Sequence, residues 1–403
     1  MKLKQTHSRM GGWALSSLLA LQISCGQPSV EDSSVDVTSV RHTAVKQQSI
    51  GNCWIYAHAT WLESMLLNTR KEAIDVSEAY WTYWDLFNKI ISGTALDKDG
   101  KVSTGGNWWM SSKIIQEHGW VEEGTFLKTT DGRAADTSQM SAAQKCAEDY
   151  LVTALKEGGS LHQVDDAALI HEGLQKGFSC NGRYLVNLNP DGSKPETLPV
   201  QNASDTELVS IKDPNQSLPL SEWILGWRSI SPLPIGASGK SLPSEDALQA
   251  ANSAVQRVMQ ALNDGQPVVM SFHVSFNAPN SQGVFNNYSL AKAGSMGNQG
   301  GHMVVLHDYT VTDVPGVADG RLPEGNLSPE EKALALQGKP EMLVAKNSWG
   351  SNRWDRPWIR DGFSRFSWDH LTSYYHNEST SSEDKKRIVF SPFIQSFILP
   401  PGY

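Results

Sequence analysis

Three short stretches of the chain carry side chains that could act together in nucleophilic catalysis. They contain Cys53, then His302 and then Asn347. A cysteine thiolate attacks carbonyl groups, and it needs an imidazole nearby to take up and return protons. The imidazole in turn needs a third group that holds its ring in place, which a side-chain amide can do. These residue types predict acyl-transfer chemistry.

Cys53 is predicted to lie in the first turn of a helix. Apolar residues follow it at helical spacing, and Gly51-Asn52 before it suits a turn and a helix cap. These apolar residues are Ile55, Ala59, Leu62 and Leu66. The positive end of the helix dipole would favour the thiolate. A lone cysteine is more often a small buried apolar residue, so the catalytic interpretation depends on the other two stretches.

The other two stretches lie beside predicted strands. His302 begins an apolar run to Tyr309, and Asn347 follows a second run, Met342 to Lys346. A third strand is predicted from Pro267 to Val274, after an amphipathic helix from Glu245 to Asn263. His273 and His307 also fall on strands, but no motif surrounds them, and we interpret both as structural.

Taken together, these stretches resemble the papain-like cysteine peptidases. The resemblance rests on Gln47 with Cys53-Trp54, on His302, and on Asn347-Ser348-Trp349-Gly350, in that family's order. It implies an α+β fold with two lobes and a cleft between them. A helical lobe would carry the cysteine, and a β-barrel-like lobe would carry the histidine and the asparagine.

The resemblance also implies a role for each residue. Cys53 would attack the peptide carbonyl, His302 would move the proton, and Asn347 would hold the imidazole, with Trp349 shielding that contact. Gln47, six residues before Cys53, would form the oxyanion hole with the Cys53 backbone N–H; Gln48 is the rival for this role. Water would then hydrolyse the thioester. This chemistry needs no metal and no other cofactor.

A glycine pair is predicted to contact the substrate. Gly105 and Gly106 would let an extended peptide approach the backbone, although the same residues also suit a turn at the entry to a helix. In the family such a pair lines the non-primed side of the cleft, and Trp54 beside the nucleophile is expected there too. The aromatic helix led by Ser77 resembles the bleomycin hydrolase and aminopeptidase C branch.

The first residues have the pattern of an export signal. Residues 1–24 combine a basic start with an apolar segment too short to span a bilayer. The next residue, Cys25, resembles the lipidated residue of bacterial lipoproteins, although Gln22 departs from that pattern and ordinary signal cleavage stays open. The sequence thus predicts an exported protein of the bacterial cell envelope. It would be membrane-anchored through Cys25, or periplasmic or secreted.

The remaining chain divides into four parts. Residues 25–43 are predicted to be a tether, 44–123 the helical lobe, 124–240 an insertion and 241–403 the β-rich lobe. The insertion has two predicted helices, Ala142 to Glu157 and Asp165 to Lys176, and a loop-like passage rich in Pro, Gly and Ser. Cys146 and Cys180 both lie in it, and whether they form a disulfide stays open.

Composition and charge narrow the function only slightly. The 403 residues are 39% hydrophobic, which is enough for two packed lobes, and the net charge of −9 argues against a nucleic-acid partner. The expected partner is a peptide or protein substrate. Two alternatives stay open: an acyl transferase with the same three residues, and a non-catalytic peptide-binding protein of the envelope. Endopeptidase or aminopeptidase action is not decided.

Overall fold

The computed structural model describes most of the chain. The described residues are 30–31, 40–71, 73–234, 237–238, 243–322, 327–351, 353, 355–359, 361–376 and 389–403. The predicted export signal, residues 1–24, and the predicted lipidation site, Cys25, lie outside them. Within these ranges, we find no helix that combines the length and the apolar character needed to cross a membrane.

The helices of the described residues lie mainly in the first two thirds of the chain. They are α1 (Cys53–Arg70), α2 (Glu78–Ile91), α3 (Trp108–His118), α4 (Thr137–Ala154), α5 (Ala167–Phe178), α6 (Leu220–Gly226), α7 (Glu245–Asn263), α8 (Asn287–Ala293), α9 (Pro329–Ala335) and α10 (Trp368–Thr372).

The longer strands of the described residues come from the last third of the chain. In chain order, the strands are β1 (Val30–Glu31), β2 (His42–Thr43), β3 (Leu127–Thr129), β4 (Tyr184–Val186), β5 (Glu207–Val209), β6 (Ser217–Pro219), β7 (Arg228–Ile230), β8 (Ala237–Ser238), β9 (Val268–Ser275), β10 (Val284–Phe285), β11 (Gln299–Thr312), β12 (Lys339–Lys346), β13 (Phe363–Ser367), β14 (Tyr374–His376), β15 (Val389–Pro392) and β16 (Ile394–Leu399).

The largest sheet of the described residues is mixed and has the order β10-β13-β12-β11-β9-β16-β7. Its long central strand, β11, pairs antiparallel with β9 on one side and β12 on the other. His302 lies opposite Phe272 in that ladder. The strands on either side of β11 therefore fix where His302 stands.

Two hydrophobic clusters define two lobes. The first joins α1 to α6 and is rich in buried tryptophans, and the second lies between the sheet and α7. Strand β11 divides its side chains between them: Met303 and Val305 belong to the first cluster, and Val304 and Leu306 to the second. This is the two-residue alternation of a strand buried on both faces. The junction of the lobes therefore runs along β11.

The predicted fold class is confirmed. The structure is α+β, with Cys53 at the start of a helix in the helical lobe and His302 on the sheet of the other lobe. Asn347 directly follows β12. Helix α7 has the predicted bounds, and Ser77 caps α2 by accepting a hydrogen bond from the Tyr80 backbone N–H.

The described part of the predicted insertion packs into the helical lobe, with α4 and α5 against α2 and β5 against α1. Helices α4 and α5 contribute to the same hydrophobic cluster as α1 and α2. Cys146 on α4 and Cys180 just after α5 form a disulfide, which answers the question that the sequence left open. The passage predicted as a loop contains α6 and the short strands β5, β6 and β7.

The end of the predicted tether is also structured. His42 and Thr43 form β2, pair with Val30–Glu31 and are buried. The Thr43 hydroxyl donates a hydrogen bond to Glu63 on α1. His42 meanwhile contacts the rings of His307 and Phe363, so residues 42 and 43 pack between the helical lobe and the sheet lobe.

Candidate active site

Cys53 is the first residue of α1, as predicted. The preceding residue, Asn52, does not cap the helix with its side chain. Its amide instead donates hydrogen bonds to Thr82 Oγ1 at 2.9 Å and to Gln144 Oε1 at 2.6 Å. The turn before the nucleophile is therefore held by side chains of α2 and α4 rather than by its own cap.

Gln144 on α4 supports this turn at two points. It accepts from the Asn52 amide, and its own amide donates to the Tyr56 hydroxyl at 3.1 Å, one helical turn beyond Cys53. Gln144 is almost fully buried, so these bonds do not compete with water. Ser49, at the other end of the turn, donates to the Ser141 carbonyl at 2.6 Å. Helix α4 thus fixes the segment that carries the nucleophile.

Burial decides the protonation of the Cys53 thiol. It raises the pKa to about 11, although the backbone N–H groups of Met303, Trp54 and Cys53 itself act in the opposite direction. The contact with Met303 places the thiol against the residue that follows His302. The sequence predicts a thiolate, but the structure holds a neutral thiol at neutral pH, because desolvation outweighs the helix amides.

His302 and Asn347 meet as predicted. The imidazole Nε2 lies 2.8 Å from Asn347 Oδ1. The same oxygen accepts the Ser348 backbone N–H at 2.8 Å, while the Asn347 amide nitrogen donates to Ser364 Oγ at 2.8 Å. Since a backbone N–H can only donate, it fixes Oδ1 as the acceptor, and Nε2 must carry the proton. Nδ1 is then left with the lone pair.

Aromatic rings enclose the imidazole. Trp349 stacks on His302 with ring centroids 4.5 Å apart and planes at 22°, and Phe272 meets it edge-on at 5.6 Å. Burial lowers the pKa of His302 to about 4; the Asn347 hydrogen bond raises it and the charge of Arg356 lowers it further. The imidazole is therefore neutral at neutral pH and able to accept a proton. We call His302, Asn347, Trp349 and Phe272 the His302 enclosure.

The thiol contacts the backbone N–H of Met303, the residue after His302, and not the imidazole itself. Among the described contacts, no hydrogen bond joins Cys53 Sγ to the His302 ring. Such bonds are often long in unliganded enzymes and shorten when substrate binds. The site brings a neutral thiol and a neutral base to neighbouring positions on opposite lobes.

The structure distinguishes the two glutamines before the nucleophile. The Gln48 amide donates to the Ile50 carbonyl at 2.8 Å, and its Oε1 accepts from the Ser348 hydroxyl. Gln47 is exposed, and within the described part of the chain its side chain forms no hydrogen bond. It lies across Gly350, where an added Cβ would come within 2.7 Å of Gln47 Oε1. Gln47 therefore keeps its amide available, whereas Gln48 does not.

The glycine pair is positioned from behind by two side chains. Gly106 lies against the Trp54 ring so closely that an added Cβ would come within 2.4 Å of it. Trp54 is 1% exposed and donates to the Thr104 carbonyl at 3.0 Å. Lys89 donates to the Gly105 carbonyl at 2.7 Å. Gly105 and Gly106 are exposed, while Trp54 supports them and does not itself reach the surface.

A buried group of charges lies beside Gln47. The Lys46 ammonium is 2.6 Å from Glu63 Oε1, 2.5 Å from Asp75 Oδ1, 2.7 Å from Glu78 Oε1 and 3.6 Å from Glu123 Oε2. It also donates to the Val76 carbonyl at 2.8 Å. We call Lys46 and its four carboxylates the Lys46 cluster. It joins the Gln47 segment to α1 and α2.

Two acids of the Lys46 cluster have pKa values above those of isolated carboxyl groups, so they keep their protons to higher pH. Burial raises the pKa of Glu78 to about 8 and of Glu123 to about 9, against the pull of the Lys46 charge. Burial also acts on Asp75, but there the charge of Lys46 outweighs it and the pKa is lowered. At neutral pH both Glu78 and Glu123 are thus largely protonated.

Several residues of this site carry no sequence signal. Ser364, Gln144 and Lys89 are placed only by the fold, and the spacing along the chain does not connect them with Cys53 or His302. The Lys46 cluster draws on four separate elements, so no local pattern contains it. Across the residues that the structure describes, no three or more His, Cys, Asp or Glu side chains group in a way that could hold a metal ion.

Comparisons with known proteins give limited similarity. No protein-family model matches the chain, and no curated protein does. Among solved structures, PepW from Lactobacillus rhamnosis is 14% identical with a TM-score of 0.42, covering 93% of this chain and 82% of that one. SERA5E from Plasmodium falciparum is 14% identical with a TM-score of 0.37, covering 89% of each chain. A recombinant stem bromelain precursor is 13% identical with a TM-score of 0.31, covering 89% and 67%. At these scores the likenesses carry no argument about activity.

Proposed function

We propose that this chain is a papain-like cysteine peptidase, which hydrolyses peptide bonds through Cys53, His302 and Asn347. The observation that carries the proposal is the 2.8 Å contact between His302 Nε2 and Asn347 Oδ1. It leaves Nδ1 as a base while the Cys53 thiol lies against the next residue of the same strand. A structural histidine would not need this tautomer next to a thiol.

The mechanism begins from a neutral pair. Cys53 Sγ attacks the carbonyl carbon as its proton passes to His302 Nδ1, and the imidazolium then forms beside Asn347 Oδ1, which stabilises it. The oxyanion lies at the Cys53 backbone N–H and the Gln47 amide. His302 returns the proton to the leaving amine, a thioester remains, and water hydrolyses it with His302 again as the base.

Residues 394–403 run away from His302 in the described structure. Strand β16 passes the level of His302 at Ile394, which pairs with Phe272, and then runs away from it. Tyr403 is held at the end of α7, where its hydroxyl donates to Asp264 Oδ2 at 2.6 Å. A peptide-library digest that separates internal from terminal cleavage then decides between endopeptidase and aminopeptidase action.

The first experiment labels the protein with a peptidyl epoxide and locates the adduct by mass spectrometry. We expect modification at Cys53 that slows at least about tenfold in His302→Ala, because proton transfer is worth about 10²–10⁴-fold. His273→Gln, on the neighbouring strand, is the control and should label like the parent protein. Equal labelling of the parent and His302→Ala would contradict the proposal and favour the peptide-binding alternative.

A second measurement separates hydrolysis from acyl transfer. A peptide library is digested with and without a large excess of an amine acceptor, and the products are identified by mass. Free carboxyl products that persist in the presence of the amine support a peptidase. Amide products that dominate at low amine concentration would instead identify an acyl transferase with the same residues.

Export and lipidation of Cys25 form a separate proposal, which rests on the pattern of residues 1–24. Metabolic labelling with an alkyne fatty acid in a bacterial host tests it. We expect label in the full chain and none in Cys25→Ala. Export without lipid incorporation would favour ordinary signal cleavage.

A further inference from the structure

One cation lies behind the aromatic wall of the candidate site. The Arg356 guanidinium is centred 4.6 Å from the ring of Phe276 and 5.5 Å from that of Trp349. Trp349 also stacks on His302, with the two ring centroids 4.5 Å apart. A single aromatic ring therefore links the guanidinium to the imidazole, and the charge of Arg356 acts on the pKa of His302.

Within the described part of the chain, the charge of Arg356 is only partly offset by its neighbours. Asp355 is the acid beside it, with Oδ2 at 3.9 Å from the Arg356 Nε. Arg353 already holds both oxygens of that carboxylate, at 2.7 and 2.6 Å. Two guanidinium groups thus share one carboxylate. Within the described part of the chain, the Arg356 side chain donates no hydrogen bond.

The geometry of Arg356 leaves its donors accessible. A guanidinium that lies over aromatic rings presents its N–H groups at the edge of its plane, in the fork that fits a carboxylate. The side chain is 29% exposed, so this edge can meet solvent or a ligand. Phe276 and Trp349 limit its rotation, which reduces the entropy lost when a partner binds.

The position of Arg356 selects the leaving-group half of a substrate. His302 must give its proton to the leaving amine, so the amine product lies against the lobe that carries His302. Arg356, Phe276 and Trp349 belong to that lobe. The exposed glycine pair belongs to the helical lobe, where the acyl half is expected.

We propose that Arg356 binds a carboxylate on the leaving-group side of the substrate; this rests on the proposed peptidase function. The enzyme would then prefer peptides that place a negative charge one or two residues beyond the cleaved bond. Two sources share this chemistry: an acidic side chain, and the C-terminal carboxylate of a short peptide. Arg356 is a binding residue in this proposal and takes no part in proton transfer.

The first test needs no peptidase activity. The alkylation rate of Cys53 is measured with anionic iodoacetate and with neutral iodoacetamide. In both reactions the sulfur–carbon bond forms, the carbon–iodine bond breaks, iodide leaves and the thiol proton passes to solvent. We expect Arg356→Gln to lower the iodoacetate-to-iodoacetamide rate ratio about twofold, the effect of one charge about 10 Å away in water, because Trp349 separates the guanidinium from the imidazole. Arg356→Glu should lower it more, and Arg356→Lys should retain most of it.

Arg365→Gln is the matched control. Arg365 also carries one charge on the sheet lobe, but it pairs with Asp361 at 2.8 Å. Its removal should leave the ratio at the parent value, because the Asp361 carboxylate already offsets its charge and salt screens what remains. An unchanged ratio in both Arg356→Gln and Arg356→Glu would overturn the proposal, whether or not the protein hydrolyses peptides.

The second test uses peptides and separates the two carboxylate sources. Matched peptides carry Glu or Gln after the cleaved bond, each with a free or an amidated C-terminus. We expect about fivefold higher kcat/KM for the charged member of one pair, lost in Arg356→Gln and kept in Arg365→Gln. A preference for Glu identifies a side chain, and a preference for the free terminus identifies the terminal carboxylate. Equal kcat/KM in both pairs overturns the proposal, while absence of all hydrolysis tests the peptidase function instead.

Discussion

Two buried polar regions lie beside the nucleophile helix, and they differ in their contacts. One is held by charges, and the other by neutral hydrogen bonds and stacked rings. The Lys46 cluster places four carboxyl groups around one ammonium, with Lys46 donating to groups on α1 and α2. The His302 enclosure contains no close ion pair, and its contacts are neutral hydrogen bonds and stacked rings. Charge thus holds the backbone of the site, while its reactive groups are kept uncharged.

This difference is reflected in the proton affinities. In the Lys46 cluster, burial raises the pKa values of Glu78 and Glu123, so that acids remain protonated at neutral pH. In the His302 enclosure, burial lowers the pKa of the imidazole to about 4 and keeps it as a free base. Burial therefore favours the protonated, neutral form of the two acids in the Lys46 cluster and the deprotonated, neutral form of the imidazole in the His302 enclosure.

Removing the ammonium tests the charged region and should have the largest effect on stability. Lys46→Met leaves its carboxylates without a counter-charge, which typically costs about 3–5 kcal/mol when a buried pair loses one partner. Urea unfolding followed by tryptophan fluorescence measures it. Lys113→Met, a surface lysine of α3, is the control and should change stability little. A loss below about 1 kcal/mol would show that the cluster does not hold the turn.

Truncating the amide tests the neutral region, where we expect a large effect on rate. Asn347→Ala removes the acceptor that keeps the proton on His302 Nε2, so kcat/KM should fall about 10²-fold, the order expected when the general base loses its alignment. Ser364→Ala removes only a support of the Asn347 amide and should cost less. A loss below threefold in Asn347→Ala would mean that the enclosure fixes the imidazole without it.

A smaller effect separates the two regions by pH. The folded pKa of Glu123 is raised above its unfolded value of about 4.5, so the folded state holds more protons and its stability falls as pH rises towards about 9. Between pH 6.5 and 8.5 we expect the free energy of unfolding of Glu123→Gln to fall by about 2–3 kcal/mol less than that of the parent protein. The buried histidines titrate alike in the two proteins, so their contribution cancels in this comparison. Parallel curves in thermal unfolding would contradict the prediction.

The nucleophile helix and the His302 strand were predictable from sequence because the pattern that indicates each one lies within the element itself. The apolar spacing after Cys53 and the run after His302 give their elements directly, and Ser77 and the bounds of α7 follow from caps and amphipathic pattern. The thiolate prediction was wrong because it used the helix dipole alone. The burial that reverses it arises in a hydrophobic cluster whose members are distant from Cys53 in the chain.

The supports of the site escaped prediction for a related reason. Gln144 reaches Asn52 across 92 positions of the chain, and its α4 was assigned to an insertion with no expected contact to the nucleophile. Lys46 gathers carboxylates whose only common property is their place in the fold. Side-chain contacts of this kind follow from tertiary packing, and no period or motif encodes them.

Strand β16 has a consequence for the order in which the protein can be made. It lies inside the sheet, between β9 and β7, although it contains residues 394–399. During synthesis, more than a hundred residues must therefore be added after β9 before β16, its second neighbour in the sheet, is made. Such long-range pairings are slow to form. The sheet that carries His302 thus cannot be completed before residues 394–399 have been translated, and until then one edge of β9 lacks its partner strand.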